Sequence, residues 1–211
     1  MTCGDASRKG SAAKPKGQQG RQRKPAAPRR QQAPMQLLRP VFFVGFMGAG
    51  KTSVARKLAR MCGLASVDTD AYLERREGKK VGDIFACAGE EGFRIIETDV
   101  LRELAKKDPL LISCGGGIVT REENRAVLGQ SGFVIHLKTS ADEAARRISD
   151  ISSRPLFRNL DEARERCAER DPLYNEVADA TVDTRGRGVS AIAREVRNVL
   201  MKEGVLCLRP K

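Results

Sequence analysis

The chain has no tryptophan and only 4% aromatic residues, so its core must be filled by Leu, Ile, Val and Ala. It has one histidine, His136, in the middle of the apolar run FVIHLKT, which reads as a structural residue with no part in catalysis. Its six cysteines, Cys3, Cys62, Cys87, Cys114, Cys167 and Cys207, form no C-x-x-C pair and mostly sit inside periodic apolar segments. That pattern speaks for reduced, buried thiols in a cytoplasmic protein and against a disulfide framework or a zinc site. No apolar run approaches the roughly 20 residues that a membrane span needs, and none resembles the core of a secretory signal. There is no internal repeat.

Acidic residues are nearly absent from the first 39 positions. Ten Lys and Arg stand there against Asp5 alone, so nine of the twelve net positive charges lie in that segment and the remaining chain is close to balance. The basicity is therefore a property of a tail. Residues 1–39, built from Gly, Gln, Ala, Pro and cations, are expected to be disordered, because they hold too little apolar surface to offset the entropy of ordering. The segment is Arg-rich and acid-poor like an organellar transit peptide but poor in Ser and in amphipathic periodicity. Two readings of it stay open: a genuine extension, or a chain whose translation starts at Met35. Weak, salt-sensitive binding of polyanions is all that the tail offers by itself, and no specific nucleic-acid partner is expected.

From residue 40 the pattern changes. The stretches VFFVGF, ASVDTD, LLISC, FVIHLKT and ATVDT read as strands. Helical periodicity covers 51–62, 71–78, 81–107 with a break near Gly89, 120–129, 140–149, 161–178 and 189–203. Strands alternating with helices predict an α/β fold in three layers, a parallel sheet of about five strands covered on both faces. The predicted domain spans 40–205, followed by a short tail, 206–211. Residues 150–160 have no periodicity and carry Arg154, Pro155 and Arg158. They suit either a mobile lid or a solvated loop.

The strand VFFV runs into GFMGAGKT at 45–52, which fits G-x-x-x-x-G-K-[ST] between a buried strand and a helix. Glycines at 45, 48 and 50 let the backbone wrap closely and aim N–H groups inward. The helix that follows adds partial positive charge. Lys51 reaches phosphate, and Thr52 offers a hydroxyl to Mg²⁺. The segment therefore predicts a nucleoside triphosphate site. In a parallel sheet, ligands gather at the carboxyl ends of strands. Asp68 and Asp70 follow the second strand: one for Mg²⁺, the other for an accepting hydroxyl, although Asp is also a common helix cap. Gly115, Gly116 and Gly117 follow LLISC, either as a flexible turn or to let backbone approach a ligand. No apolar strand ends in the second Asp usual in phosphate-loop enzymes, and LLISC ends in glycines instead.

In order along the chain, the phosphate loop, Asp68-Thr69-Asp70, GEEGFRIIE at 89–97, CGGG at 114–117, SRPLF at 153–157 and RDPLYNEVAD at 170–179 form a specific set. With these, the domain resembles the shikimate kinase family over roughly residues 40–203. The resemblance implies a phosphate-loop kinase fold and ATP-dependent phosphorylation of the shikimate 3-hydroxyl. It implies that Gly48, Ala49, Gly50, Lys51, Thr52 and Ser53 hold ATP, with Arg147, Arg154 and Arg187 beside it. Mg²⁺ would sit on Thr52 and, through water, on Asp68, and the absent second Asp agrees with that. Lys51, Asp70 and Arg154 would be catalytic. Asp70, Arg94, Gly116 and Arg170 would bind the acceptor, with Glu97, Gly115 and Gly117 in support. Glu97 lies three residues after Arg94, on the same helical face, and so can orient its guanidinium. A monomer with shikimate and MgATP as its partners is expected. A gluconate kinase of the same fold is the competing kinase reading, and Arg94, Glu97, the triple glycine and Arg170 are expected to discriminate against it. A degenerate binding module would have lost Lys51, Asp70 or an acceptor arginine, and all are present.

Overall fold

A computed structural model describes residues 34–147 and 159–210, all within one compact unit, Gln32–Lys211. The elements are β1 (Met35–Leu37), β2 (Val41–Val44), α1 (Lys51–Cys62), β3 (Ser66–Asp68), α2 (Thr69–Glu77), α3 (Val81–Ala105), β4 (Leu111–Ser113), a 3₁₀ turn (Ile118–Thr120), α4 (Glu122–Ser131), β5 (Phe133–Lys138), α5 (Ala141–Arg147), α6 (Leu160–Val177), β6 (Ala180–Asp183), α7 (Val189–Lys202) and β7 (Leu206–Leu208). The basic segment 1–33, Cys3, and the expected lid with Arg154, Pro155 and Arg158 lie outside the described residues.

The five expected strands form one sheet in the order β3-β4-β2-β5-β6. All of its pairings are parallel. Strand β2 is buried at every position, and its side chains divide between two cores. Val41 and Phe43 face α1 and α7, where they meet Val54, Leu58, Ile192, Val196 and Leu200. Phe42 and Val44 face α3, α4 and α6, where they meet Phe93, Leu101, Leu128 and Tyr174. A run without polar alternation is what burial on both faces requires. Each such side chain contributes about 1.5–3 kcal/mol on burial. Strand β2 lies between β4 and β5, with β3 and β4 on one side of it and β5 and β6 on the other, so a crevice opens at the carboxyl end of the central strand, where the phosphate loop emerges.

Three expectations are corrected. The fold extends past both ends of the predicted range 40–205, because β1 and β7 pair antiparallel with Met35 opposite Leu208 and Leu37 opposite Leu206. Met35, Leu37 and Leu206 are buried in the α1/α7 core. Three-residue strands separated by the whole domain leave no period to read. The helix predicted from 120 begins instead at Glu122, after the 3₁₀ turn that closes the glycine run. The thiols are not uniformly buried: Cys62 and Cys114 are, Cys167 and Cys207 are partly covered, and Cys87 is exposed. Cys87 occupies the turn of α3 just before Gly89, whose backbone leaves the helix at φ 69°, ψ −175°. The break predicted there is present.

Candidate active site

The loop between β2 and α1 depends on glycine for two separate reasons. Gly48 and Gly50 have φ of 76° and 89°, in the left-handed region. A side chain at Gly48 would also place its Cβ 2.8 Å from the Ala144 Cβ and 2.9 Å from its Cα, so α5 packs directly on the loop. Lys51 opens α1 and curls back under the loop. Its Nζ donates to the carbonyl oxygens of Gly45 at 2.7 Å and Phe46 at 3.0 Å. The ammonium thus sits in the loop's mouth on a nearly buried stem.

Thr52, next along α1, donates to Asp68 Oδ2 at 2.7 Å, and its hydroxyl lies 3.0 Å from that of Ser113. Asp68 also caps α2, accepting the Ala71 N–H at 3.3 Å on its other oxygen. Capping and cleft roles therefore coexist in one carboxylate, with one oxygen for each. Three hard oxygen groups from α1, β3 and β4 converge at the floor of the crevice. This donor chemistry fits Mg²⁺. Among the described residues, no three His, Cys, Asp or Glu side chains gather around one point. A metal here would take most of its ligands from phosphate and water, as Mg²⁺ does.

Above this floor lies a cleft of about 800 Å³. Residues 47–54, Asp68, Asp70, 113–116, Arg147 and Arg187 line it, together with Gly188 and Val189 at the start of α7. Arg147 is held by the Thr184 hydroxyl at 3.1 Å and by Glu143 at 2.9 Å. Arg187 donates to the Asp183 carbonyl at 2.8 Å and pairs with Glu195. Both arginines are thus fixed at one end of the cleft, on the same side as the N-terminus of α7.

The opposite end is built around Gly115. A Cβ there would lie 2.9 Å from Glu97 Oε1 and 3.0 Å from Asp70 Oδ1, so two carboxylates flank this glycine. Thr69 accepts the Gly115 N–H on its hydroxyl at 3.0 Å. Arg94 donates to Glu97 at 2.6 Å and to Glu90 at 3.2 Å. Its guanidinium lies over Gly117, where an added Cβ would meet it at 2.3–2.6 Å. The Arg94 side chain is 11% exposed and that of Glu97 2%. Burial pushes the Glu97 carboxyl above its ordinary range, Asp70 adds to this, and Arg94 opposes it. For Arg94, burial works against the charge, but Glu97 and Glu90 outweigh it and hold the guanidinium firmly protonated. Among the described residues, the buried Arg94 Nε has no hydrogen-bond partner. Arg170, from α6, donates to the Gly116 carbonyl at 3.4 Å.

The cleft therefore brings together residues 48–53, Asp68, Asp70, Gly115, Gly116, Arg147 and Arg187. Arg94, Glu97, Gly117 and Arg170 adjoin its glycine turn without lining it. Sequence reasoning missed three residues here. Ser113 closes β4, a strand that ends without an Asp. Its role follows from the register that sets Asp68 beside Ser113. Thr69 was passed over between two carboxylates. Tyr174, inside RDPLYNEVAD, donates to the Gly116 carbonyl. A Tyr one helical turn after Arg170 was the available signal.

A central parallel strand running into this loop, beside a compact wall of polar and charged side chains, defines a phosphate-loop kinase of small molecules. The family model described as "Shikimate kinase" matches residues 47–201, and the chain belongs to the shikimate kinase family. It is 43% identical over 163 residues to a shikimate kinase from Halorhodospira halophila, covering 76% of this chain and 92% of that protein. Among solved structures, it is similar to shikimate kinase from Acinetobacter baumannii in complex with shikimate. That match has a TM-score of 0.75 and 36% identity, over 79% of this chain and 94% of the other. The enzyme from Aquifex aeolicus matches with a TM-score of 0.70 and 29% identity, over 79% and 98% of the two chains.

Proposed function

We propose that this protein transfers the γ-phosphoryl group of ATP to the 3-hydroxyl of shikimate, giving shikimate 3-phosphate and ADP. The observation that carries this reading is the pairing, across one cleft, of a phosphate loop with Asp70 and the buried Arg94–Glu97 pair. The loop N–H groups and Lys51 cradle the phosphates, so Lys51 exchanges its carbonyl partners for phosphate oxygens when nucleotide enters. Arg147 and Arg187 stand on the nucleobase side. Thr52 and, through water, Asp68 would hold Mg²⁺, with Ser113 beside them. When bound, the metal neutralises charge on the phosphates. Arg94 and Arg170 grip the acceptor carboxylate, since guanidinium offers paired donors in a plane. Glu97 keeps the Arg94 plane in place. Asp70 then faces the accepting hydroxyl and takes or orients its proton as the new O–P bond forms. Arg154, on the expected lid, belongs to the same proposal as a cation for the transferring group.

The proposal includes Mg²⁺ dependence, a cytoplasmic location and a monomeric state. The five described cysteines are all free, which suits a reducing compartment. No helix among the described residues is long and apolar enough to cross a membrane. A coupled assay of ADP release, with and without shikimate and with gluconate as comparator, tests the function. Release that depends on shikimate and on Mg²⁺, with phosphate found on the 3-oxygen by phosphorus NMR, is the expected result. Release indifferent to shikimate, or greater with gluconate, would overturn it.

A further inference from the structure

The glycine turn at 115–117 is held through its carbonyls. The Gly115 carbonyl accepts from the Ile118 N–H at 3.2 Å, and the Gly117 carbonyl from the Thr120 N–H at 3.0 Å. The Gly116 carbonyl accepts from Tyr174 Oη and from Arg170 Nη1, two side chains one turn apart on α6. A carbonyl oxygen has two lone pairs, and both are engaged. Among the described residues, no group accepts from the N–H of Gly116 or Gly117. The turn thus offers two backbone donors beside Asp70 and Arg94 while its acceptors are satisfied.

Packing does not account for the Tyr174 hydroxyl. The side chain is 1% exposed, and its ring lies 5.2 Å from that of His136. A phenylalanine would keep that ring contact and the buried volume. The hydroxyl instead fixes one end of a rigid peptide plane. In a trans peptide the N–H points opposite to the C=O. With the Gly116 oxygen directed at α6, the Gly117 N–H points away from α6. Gly117 is also the surface on which the Arg94 guanidinium lies. Burial raises the Tyr174 pKa, against the opposing Arg170, so the phenol remains a donor through the working pH range.

We propose that Tyr174 is a positioning residue for acceptor binding, which it serves by clamping the Gly116 carbonyl together with Arg170. The proposal rests on the reading of function above and names no direct contact between Tyr174 and substrate. In Tyr174→Phe, the KM for shikimate should rise about tenfold, equivalent to about 1.4 kcal/mol. The KM for MgATP should stay within about twofold, a split that general loss of packing would not produce. In combination with Arg170→Lys, the loss should be smaller than the product of the single losses, because both side chains act on one carbonyl. The wild-type protein gives a readout that needs no variant: shikimate should slow amide hydrogen exchange at Gly116 and Gly117, and MgATP alone should not. An unchanged shikimate KM in Tyr174→Phe, equal shifts in both KM values, fully multiplicative losses, or no shikimate protection of the two amides would each overturn the proposal. If wild-type protein released no ADP in response to shikimate, the functional reading would fail, and this proposal with it. Wild-type turnover with an unsplit variant would overturn the proposal alone.

Discussion

The proposed phosphate loop is one unbroken stretch, 45–53. On the proposed reading, the acceptor side would draw on Asp70, Arg94, Glu97, residues 115–117, Arg170 and Tyr174, from four separate parts of the chain. The first is shaped by backbone: positive φ at Gly48 and Gly50, and a helix start at Lys51. The second is shaped by burial: an ion pair with almost no access to solvent and a turn clamped from a distant helix. A local motif tolerates distant changes but fails when its own backbone is altered. An assembled wall tolerates local shifts but fails when one buried partner is removed. The two halves should therefore break differently.

The largest effect belongs to Asp70→Asn, which keeps the shape of the side chain and removes its charge and basicity. Phosphoryl transfer should fall by ~10²–10⁴. MgATP affinity should survive, because Lys51 donates to the Gly45 and Phe46 carbonyls and Thr52 to Asp68, contacts that Asp70→Asn leaves in place. Turnover measured beside separate titrations of MgATP and shikimate tests this. Asp68→Asn is the contrast: its Oδ2 accepts from Thr52, so the response to Mg²⁺ concentration should change first. Near-normal turnover in Asp70→Asn would remove that residue from the chemistry.

Next comes Arg94→Ala, which strands the Glu97 carboxylate in the interior. Breaking a buried pair from one side costs about 3–5 kcal/mol. Denaturant unfolding should show most of that loss, and shikimate affinity should fall with it. Adding Glu97→Gln removes the stranded charge, so stability should recover in part while shikimate binding stays weak. If stability and binding recovered together, the pair would be structural only. MgATP binding should be nearly constant throughout, which is the asymmetry between the two walls in measurable form.

Two glycine substitutions sharpen the same contrast. Gly48→Ala forces a Cβ into left-handed backbone and against the Ala144 main chain. The strain is about 1–3 kcal/mol, and the MgATP KM should rise. Gly117→Ala meets first the far end of the Arg94 side chain, which can move aside. Stability should change by less than about 1 kcal/mol, within the range for mild substitutions. The displaced guanidinium should raise the shikimate KM instead. Equal effects of both changes on both ligands would erase the distinction.

This division also explains what the sequence could reveal. The phosphate loop, the five sheet strands and the break at Gly89 are local events, each with its own period or punctuation, and they were legible. Arg94 and Glu97 were legible as a helical pair, but their burial was not, since it depends on how α3 meets the glycine turn. Ser113 was invisible because its meaning lies in β3–β4 register. Tyr174 was invisible because it acts on a carbonyl 58 positions away. Strands β1 and β7 were hidden by a pairing that joins the two ends of the fold.

The smallest expected effect concerns His136, which lies between the two walls. It sits on β5 beside Val44, directly before the phosphate loop. Its Nδ1 lies 3.0 Å from Asn175 Oδ1, on the same helix as Arg170 and Tyr174. From that helix, Asp171 lies 3.9 Å from Nε2, while Lys138 on its own strand and Lys51 on α1 supply opposing positive charge. Burial dominates and lowers the His136 pKa below its ordinary 6.5, despite the favourable Asn175 and Asp171. The folded protein therefore binds fewer protons at this site than the unfolded chain. Stability rises with pH through the window between the folded pKa and about 6.5, and is lost as pH falls through it. The slope contributed is at most about 1.4 kcal/mol per pH unit. His136→Gln should lower stability at pH 7.5 by removing the ring packed on Tyr174, but it should flatten the decline on acidification. Urea midpoints at pH 7.5, 6.5 and 5.5 for both proteins measure the difference, and carboxylates common to the two cancel. Parallel decline of the two curves would mean that His136 takes up its proton without disturbing the fold. The ring would then serve as packing between the walls and not as a buried neutral link.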